Sequence, residues 1–395
     1  MELTFFIIAL TALALACITT PLIRRWAVRV NFVDKPGQRK IHSREVAYGG
    51  GVAVALALVA TLGATWFAVT RWPNVLPDNN APKFGTLVYV YVAVGALATL
   101  ILGLIDDKYK LSAGVKLLVQ LLIAAGTVSG GMCITAFIGA NWFMKCVTVI
   151  WITLVTNSFN LLDNMDGLCS GTVAISSAML ALVASESGQW ADAAMLTALC
   201  GASAGFFVFN RSPASIFLGD AGSLLCGYLM ACFTVLVTYF RESGPSHLAI
   251  GVPLLVLAIP LYDTGSVILI RLQEGRPVMK GDTSHFSHRL VDLGMTRPQA
   301  VGTIHLACLA IGFSATVLGK LSETSGMLVI VQALIVLTII ALLERAGLKK
   351  SREGTADTHP HPDPLPSTRV RGNGNAHPVP IESAGERENG GGASS

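Results

Sequence analysis

Residues 85–110 read GTLVYVYVAVGALATLILGLIDDKYK. From Gly85 to Ile105 no side chain is charged, and the run then ends on Asp106, Asp107, Lys108 and Lys110. An apolar run of about 20 residues is the length at which an α-helix crosses the hydrocarbon core of a bilayer. The charges at its end mark where such a helix meets water. This stretch predicts a membrane span, and it also poses a chemical question. Adjacent carboxylates repel one another unless a cation or basic group lies nearby.

Working outward, the same pattern recurs along the chain. Of 395 residues, 52% are hydrophobic and only 13% charged, against about 25% charged in a soluble domain. The fold class is therefore all-α, a polytopic membrane protein. Eleven spans are predicted, at about 3–23, 47–69, 85–105, 114–130, 138–158, 168–185, 191–209, 222–240, 248–271, 299–318 and 326–345. The turn Ser129-Gly130-Gly131 and the segment to Asn141 leave the count at ten or eleven. Glu2 precedes the first apolar run and the positive charges follow it, so this run reads as a retained span rather than a signal peptide. Residues 1–346 form the transmembrane domain. From Gly347 to Ser395 the chain turns to Gly, Pro, Ser, His and charge, the composition of a disordered tail. The eight cysteines lie scattered in apolar runs without a Cys-x-x-Cys pair, which argues against zinc or a disulfide framework.

Basic residues set the direction. Arg24, Arg25, Arg29, Lys35, Arg39, Lys40 and Arg44 follow the first span. Lys108 and Lys110 follow the third, and Arg271, Arg276, Lys280, Arg289 and Arg297 follow the ninth. The positive-inside bias places the N-terminus outside a plasma membrane and the C-terminus in the cytoplasm. On that frame Asp34, Asp106, Asp107, Asp163, Asp166, Asp220 and Asp282 all fall at the cytoplasmic face.

Each motif at that face has a plain reading beside a chemical one. Asp106-Asp107 fits a divalent cation or proton handling, or a helix end meeting Lys108 and Lys110. In the stretch from Asn157 to Gly167, Asn157, Asn160, Asp163 and Asp166 recur at three-residue intervals. On a helix they share a face, and a polar stripe there marks a cavity or a substrate path. Asp220, between Gly219 and Ala221-Gly222, suits Mg²⁺ or an ordinary helix cap. His285, His288 and Arg289 suit phosphate better than zinc, because the loop is basic and no cysteine offers a fourth ligand. Lys40 and His42 lie in a cation-dense first loop fit for anionic lipid or phosphate. No nucleic-acid signature appears, and neither a Walker nor a dinucleotide motif is present.

These motifs resemble the polyprenyl-phosphate N-acetylhexosamine-1-phosphate transferases, glycosyltransferase family 4. The matching elements are Asp34-Lys35-Pro36 with Arg39-Lys40-Ile41-His42, Asp106-Asp107, Asn160 through Gly167, Phe217 through Ser223, and Asp282 through His288. The resemblance runs from about Asn31 to Ala300. It implies a cytoplasmic cleft, a UDP-sugar donor, a polyprenyl phosphate acceptor, release of UMP, and Mg²⁺ or Mn²⁺. It implies Asp106 and Asp107 as the catalytic pair, and Asp220 with Asp107 as metal ligands. Lys40, His42, Asn157, Asn160, Asp163, Asp166, Phe217, His285, His288 and Arg289 are then substrate-side residues, and a homodimer is left open. Two positions depart from the family pattern: Lys110 stands where a third acid is common, and Ser287 where a histidine is common. The Asp-x-x-His-x-x-His form is closer to the N-acetylglucosamine branch than to the muramoyl-pentapeptide branch. An ion-coupled transporter is the alternative from another class, disfavoured because the charges gather at one face rather than at the midplane.

Overall fold

The computed structural model describes residues 2–34, 45–72, 86–134, 141–237, 247–277 and 285–356. Lys40, His42 and Asp282, and the tail from residue 357, lie outside the described residues. Residues up to Ser351 form one compact unit.

The helices are α1 (Glu2–Arg29), α2 (Gly50–Arg71), α3 (Thr86–Tyr109), α4 (Ala113–Ser129), α5 (Asn141–Leu162), α6 (Leu168–Glu186) and α7 (Trp190–Asn210). There follow α8 (Gly219–Leu236), α9 (Val252–Val256), α10 (Ala258–Gln273), α11 (Phe286–Asp292), α12 (Arg297–Leu318) and α13 (Glu323–Ala356). Two short antiparallel strands, β1 (Val33–Asp34) and β2 (Val46–Ala47), pair Val33 with Ala47 and Asp34 with Val46. Among the described residues, 9 helices are long and apolar enough to cross a membrane.

The predicted eleven spans differ from these in two places. Helix α4 has 17 residues, just short of a full crossing. The predicted span 248–271 is broken into a 3-10 turn (His247–Gly251), α9 and α10. Hydropathy does not register the cause. Pro253 and Pro260 have no N–H to give a continuing helix, and both fall in first turns, where that donor would be unpaired anyway.

The helices form nested shells. Of α8's apolar stretch 89% is buried, against 72% for α6 and 61% for α7, while α13 has 11% and α1 22%. A helix apolar on all sides belongs either at a core or against lipid; α8 takes the core, with α2, α3, α5 and α6 packed around it. The outer helices turn Leu3, Phe6, Trp66, Leu97, Leu328 and Leu342 outward.

Close packing at the start of α8 depends on glycine. A Cβ on Gly103 of α3 would lie 2.3 Å from the Ala221 Cα, so α3 reaches α8 backbone to backbone. The β2 edge is laced to the chain entering α8. Phe217 N–H donates to the Ala47 carbonyl at 2.9 Å, and Gly50 N–H donates to the Phe217 carbonyl at 3.0 Å.

Candidate active site

The N-terminus of α8 organises the site. Its N-cap residue is Leu218, which has no polar group to satisfy the exposed amides of a first helical turn. Asp107 arrives from the end of α3 and does so. Its carboxylate accepts the N–H of Asp220 at 2.8 Å and of Ala221 at 3.1 Å. Gly219 is what admits it: its φ is +72°, and a Cβ there would sit 2.7 Å from an Asp107 oxygen. Asp220 is thus the second residue of α8, not its cap.

The neighbouring Asp106 points elsewhere, as adjacent helical positions must. It is 5% exposed. It accepts the Leu111 N–H at 2.7 Å and pairs with the Lys116 ammonium at 2.6 Å. Lys116 also lies 3.3 Å from the Asp220 carboxylate, so one amine from α4 bridges two acids. Asn160 donates to Asp220 and, at 2.9 Å, to the Ser223 hydroxyl.

The stripe expected along α5 divides. Asn157 faces α4, donating to Gln120 at 2.5 Å and to the Thr153 carbonyl. Helix α5 ends at Leu162, so Asp163 and Asp166 sit in the following turn rather than on the helix. Asp166 accepts the Ala214 N–H at 3.0 Å, fixing the 212–215 loop. Asp163 accepts the Gly219 N–H. Burial pushes the Asp163 carboxyl well above the usual range, and the charges of Asp220, Asp107 and Asp166 push it further.

Asp107, Asp163, Asp166 and Asp220 all line one cavity of about 1040 Å³, with Asp34, Tyr48, Phe217, His288, Arg24 and Arg297 completing its wall. Burial, followed by the charges of Asp34 and Asp107, raises the Tyr48 phenol, so it stays protonated as a donor. Burial lowers the His288 imidazole, aided by His285 and Arg297; it is neutral near pH 7. His285 is buried instead. Its Nδ1 lies 2.9 Å from an Asp263 oxygen, and the other Asp263 oxygen accepts the Phe286 N–H at 2.6 Å. Ser287, in the position where the family pattern has histidine, donates to the Asn164 side-chain Oδ1 at 2.5 Å. Arg289 does not line the cavity. It is 4% exposed, donates to Ser266 at 2.7 Å and forms an ion pair with Glu344 at 3.2 Å.

Compared with known proteins, residues 89–238 match the family model described as glycosyl transferase family 4. A Bacillus subtilis (strain 168) protein, named as a probable undecaprenyl-phosphate N-acetylglucosaminyl 1-phosphate transferase, is 31% identical over 341 residues, 84% of this chain and 90% of that one. The chain belongs to glycosyl transferase family 4. A decaprenyl-phosphate N-acetylglucosaminephosphotransferase of Mycolicibacterium smegmatis is 28% identical over 376 residues, 86% of this chain and 89% of that one. The undecaprenyl-phosphate alpha-N-acetylglucosaminyl 1-phosphate transferase of Escherichia coli (strain K12) is 26% identical over 298 residues, 72% and 76% of the two chains. The family model spans α3 to α8, and so takes in Asp107, Lys116, Asn160, Asp163, Asp166 and Asp220. It leaves out α10 to α13 and the two histidines.

Sequence reading passed over Lys116, Asp263 and the cavity-lining Tyr48. A signal existed for two of them. Lys116 and Asp263 are each a charge inside an otherwise apolar stretch, which by default marks a function.

Proposed function

We propose that this protein transfers N-acetylglucosamine 1-phosphate from UDP-N-acetylglucosamine to undecaprenyl phosphate, releasing UMP, at the cytoplasmic face of the plasma membrane. The product lipid would start a cell-envelope polysaccharide. One observation carries the reading: four aspartates from α3, α8 and the turn after α5 meet in one cavity at the ends of membrane helices. The names of the relatives and the basic loops at that face support the donor, the acceptor and the orientation.

In this reaction an oxygen of the lipid phosphate bonds to the sugar-bearing phosphorus as the bond from that phosphorus to UMP breaks. The acceptor is an anion near neutral pH, so the main obstacle is repulsion between phosphates, and catalysis is largely positioning with charge stabilisation. The cavity exceeds most ligand pockets of about 300–1,000 Å³ and suits a nucleotide sugar meeting a lipid headgroup. Among the described residues no three acid, histidine or cysteine side chains form a closed cation cage. Mg²⁺ needs none, being held by one or two carboxylates together with waters and phosphate oxygens. Burial and then the charges of Asp220, Asp107 and Asp166 lift Asp163, and such an ion relieves that crowding of negative charge. Asp220 with Asp107 would hold it, and bound Mg²⁺ (or Mn²⁺) would supply charge neutralisation on the diphosphate. The chain's own groups do the rest. Asp107 fixes the α8 amides, Lys116 and Asn160 hold the Asp220 carboxylate, and Asp166 holds the 212–215 loop. Neutral His288 and Arg297, which also line the cavity, would bind the donor's phosphates, and Asp163 can take a residual phosphate proton.

The test uses purified full-length protein in detergent, labelled UDP-N-acetylglucosamine and a C55 polyprenyl phosphate, with and without Mg²⁺. Label entering the lipid with stoichiometric UMP, and none in EDTA, is the expected result. Label entering only from the muramoyl-pentapeptide nucleotide would overturn the assignment.

A further inference from the structure

Helix α13 is the outermost of the helices, and of its described side chains only Ala333 and Glu344 are buried, beside Gly326. Against α10 it leaves open a groove of about 300 Å³, lined by Tyr262, Leu334, Leu337 and Leu342 among others. A helix so thinly packed nevertheless carries a carboxylate, Glu344, that is 5% exposed. A buried acid in a membrane helix is costly to keep unless its partners repay the lost hydration. Its partners here are specific. Glu344 accepts the Tyr262 hydroxyl at 2.8 Å and pairs with the Arg289 guanidinium at 3.2 Å.

Arg289 adjoins the cavity-lining His288 on α11, a helix of only 7 residues. Three side-chain ties hold this short helix. Asp263 of α10 takes His285 Nδ1 and the Phe286 N–H. Asn164, from the turn bearing Asp163 and Asp166, takes Ser287. Glu344 and Ser266 take Arg289. The first two ties hold the start of α11; the third holds the residue that follows His288. We infer that Glu344 is a positioning residue. Through Arg289 it sets the placement of His288 in the cavity, so that α13, none of whose described residues lines that cavity, tunes how the donor's phosphates are gripped. This rests on the proposed transfer reaction, with the donor diphosphate beside His288.

The assay is steady-state kinetics of the full-length protein with Glu344→Gln and Glu344→Asp, each checked for a monodisperse peak on size exclusion. Glu344→Gln keeps an acceptor for Tyr262 and removes the charge that holds Arg289. Displacing a binding group by about 1 Å can cost up to about a hundredfold. The donor KM is expected to rise about tenfold in Glu344→Gln, with the acceptor KM unchanged, and to return most of the way in Glu344→Asp. Loss of folded protein alone lowers apparent kcat and leaves both KM values alone, so an unchanged donor KM overturns the inference whatever happens to kcat. A rise in the acceptor KM instead overturns it too. If Glu344→Gln is not monodisperse, Arg289→Lys decides, because it keeps the charge but loses the guanidinium that reaches both Glu344 and Ser266: a donor KM equal to wild type refutes the inference. Wild-type protein that makes no lipid product refutes the proposed reaction instead, and is scored separately.

Discussion

Replacing Asp107 by asparagine separates a structural duty from a chemical one. Both Asp107 oxygens accept backbone amides at the start of α8, at 2.8 and 3.1 Å. Asparagine keeps one acceptor and presents an NH₂ group to the other amide. A hydrogen bond to a charged group contributes about 1.5–3 kcal/mol, and a buried amide left without a partner costs about 1–3 kcal/mol. The variant should therefore lose roughly 3–5 kcal/mol at the most enclosed helix of the bundle. Asp220→Asn is the control. Asp220 takes part in the Asp107 cap through its backbone N–H, so its side chain can change while that cap stays intact. Both variants are expected to lose turnover in the labelled-donor assay. In thermal melts in detergent, Asp107→Asn should fall well below Asp220→Asn, with a difference of at least roughly 2 kcal/mol. Equal midpoints would show that Asp107 does not cap α8, and turnover in Asp107→Asn would remove it from the chemistry.

Three further variants address other parts of the site. Lys116→Ala leaves Asp106 and Asp220 without their shared cation. Breaking a buried pair costs about 3–5 kcal/mol, so melting should drop and turnover should fall at least about a hundredfold on loss of one charge-stabilising group; wild-type turnover would place the amine outside the site. Asp163→Asn tests the raised acid. Because the folded carboxyl titrates above its unfolded value, the stability of its neutral form is present at low pH and lost as pH rises through the raised value. In EDTA the asparagine variant should therefore melt above wild type at pH 8 and match it near pH 4, and an offset independent of pH would refute this. Gly103→Leu forces a side chain into Ala221, where even a Cβ would lie at 2.3 Å; the expected outcome is no monodisperse protein on size exclusion, and a stable, active variant would disprove the close α3–α8 contact.

Much of the fold was legible because lipid imposes a simple rule: charge-free runs near Val52, Val94, Ile152, Leu196 and Ile311 could only be helices. The run 248–271 reads as one unbroken helix because Pro253 and Pro260 carry apolar side chains, whereas each lacks the N–H of a continuing helix and the run divides into a 3-10 turn, α9 and α10. The site was legible in part for the same reason. Asp107, Asp163, Asp166 and Asp220 stand out as acids beside apolar runs, and topology alone collects them at one face. Their division of labour was not legible. Asp107 meets Ala221 across a separation of 114 residues, and no spacing along the chain announces that it faces an uncapped helix while Asp106 turns to Lys116. Arg289 reads as a free cation in a basic loop until Glu344, 55 residues on, is seen to take it up.

The nesting of helices around α8 has a consequence for how this protein tolerates change. The cavity's aspartates gather around the start of the innermost helix, whose neighbours enclose it, whereas α1 and α13 turn most of their surface outward. Substitutions among apolar residues should therefore pass almost unnoticed at outward positions such as Leu3, Phe6, Leu328 and Leu342, yet be rejected one after another from Gly222 to Leu236. A saturation library read out by growth would draw the protein's concentric anatomy without any coordinates at all.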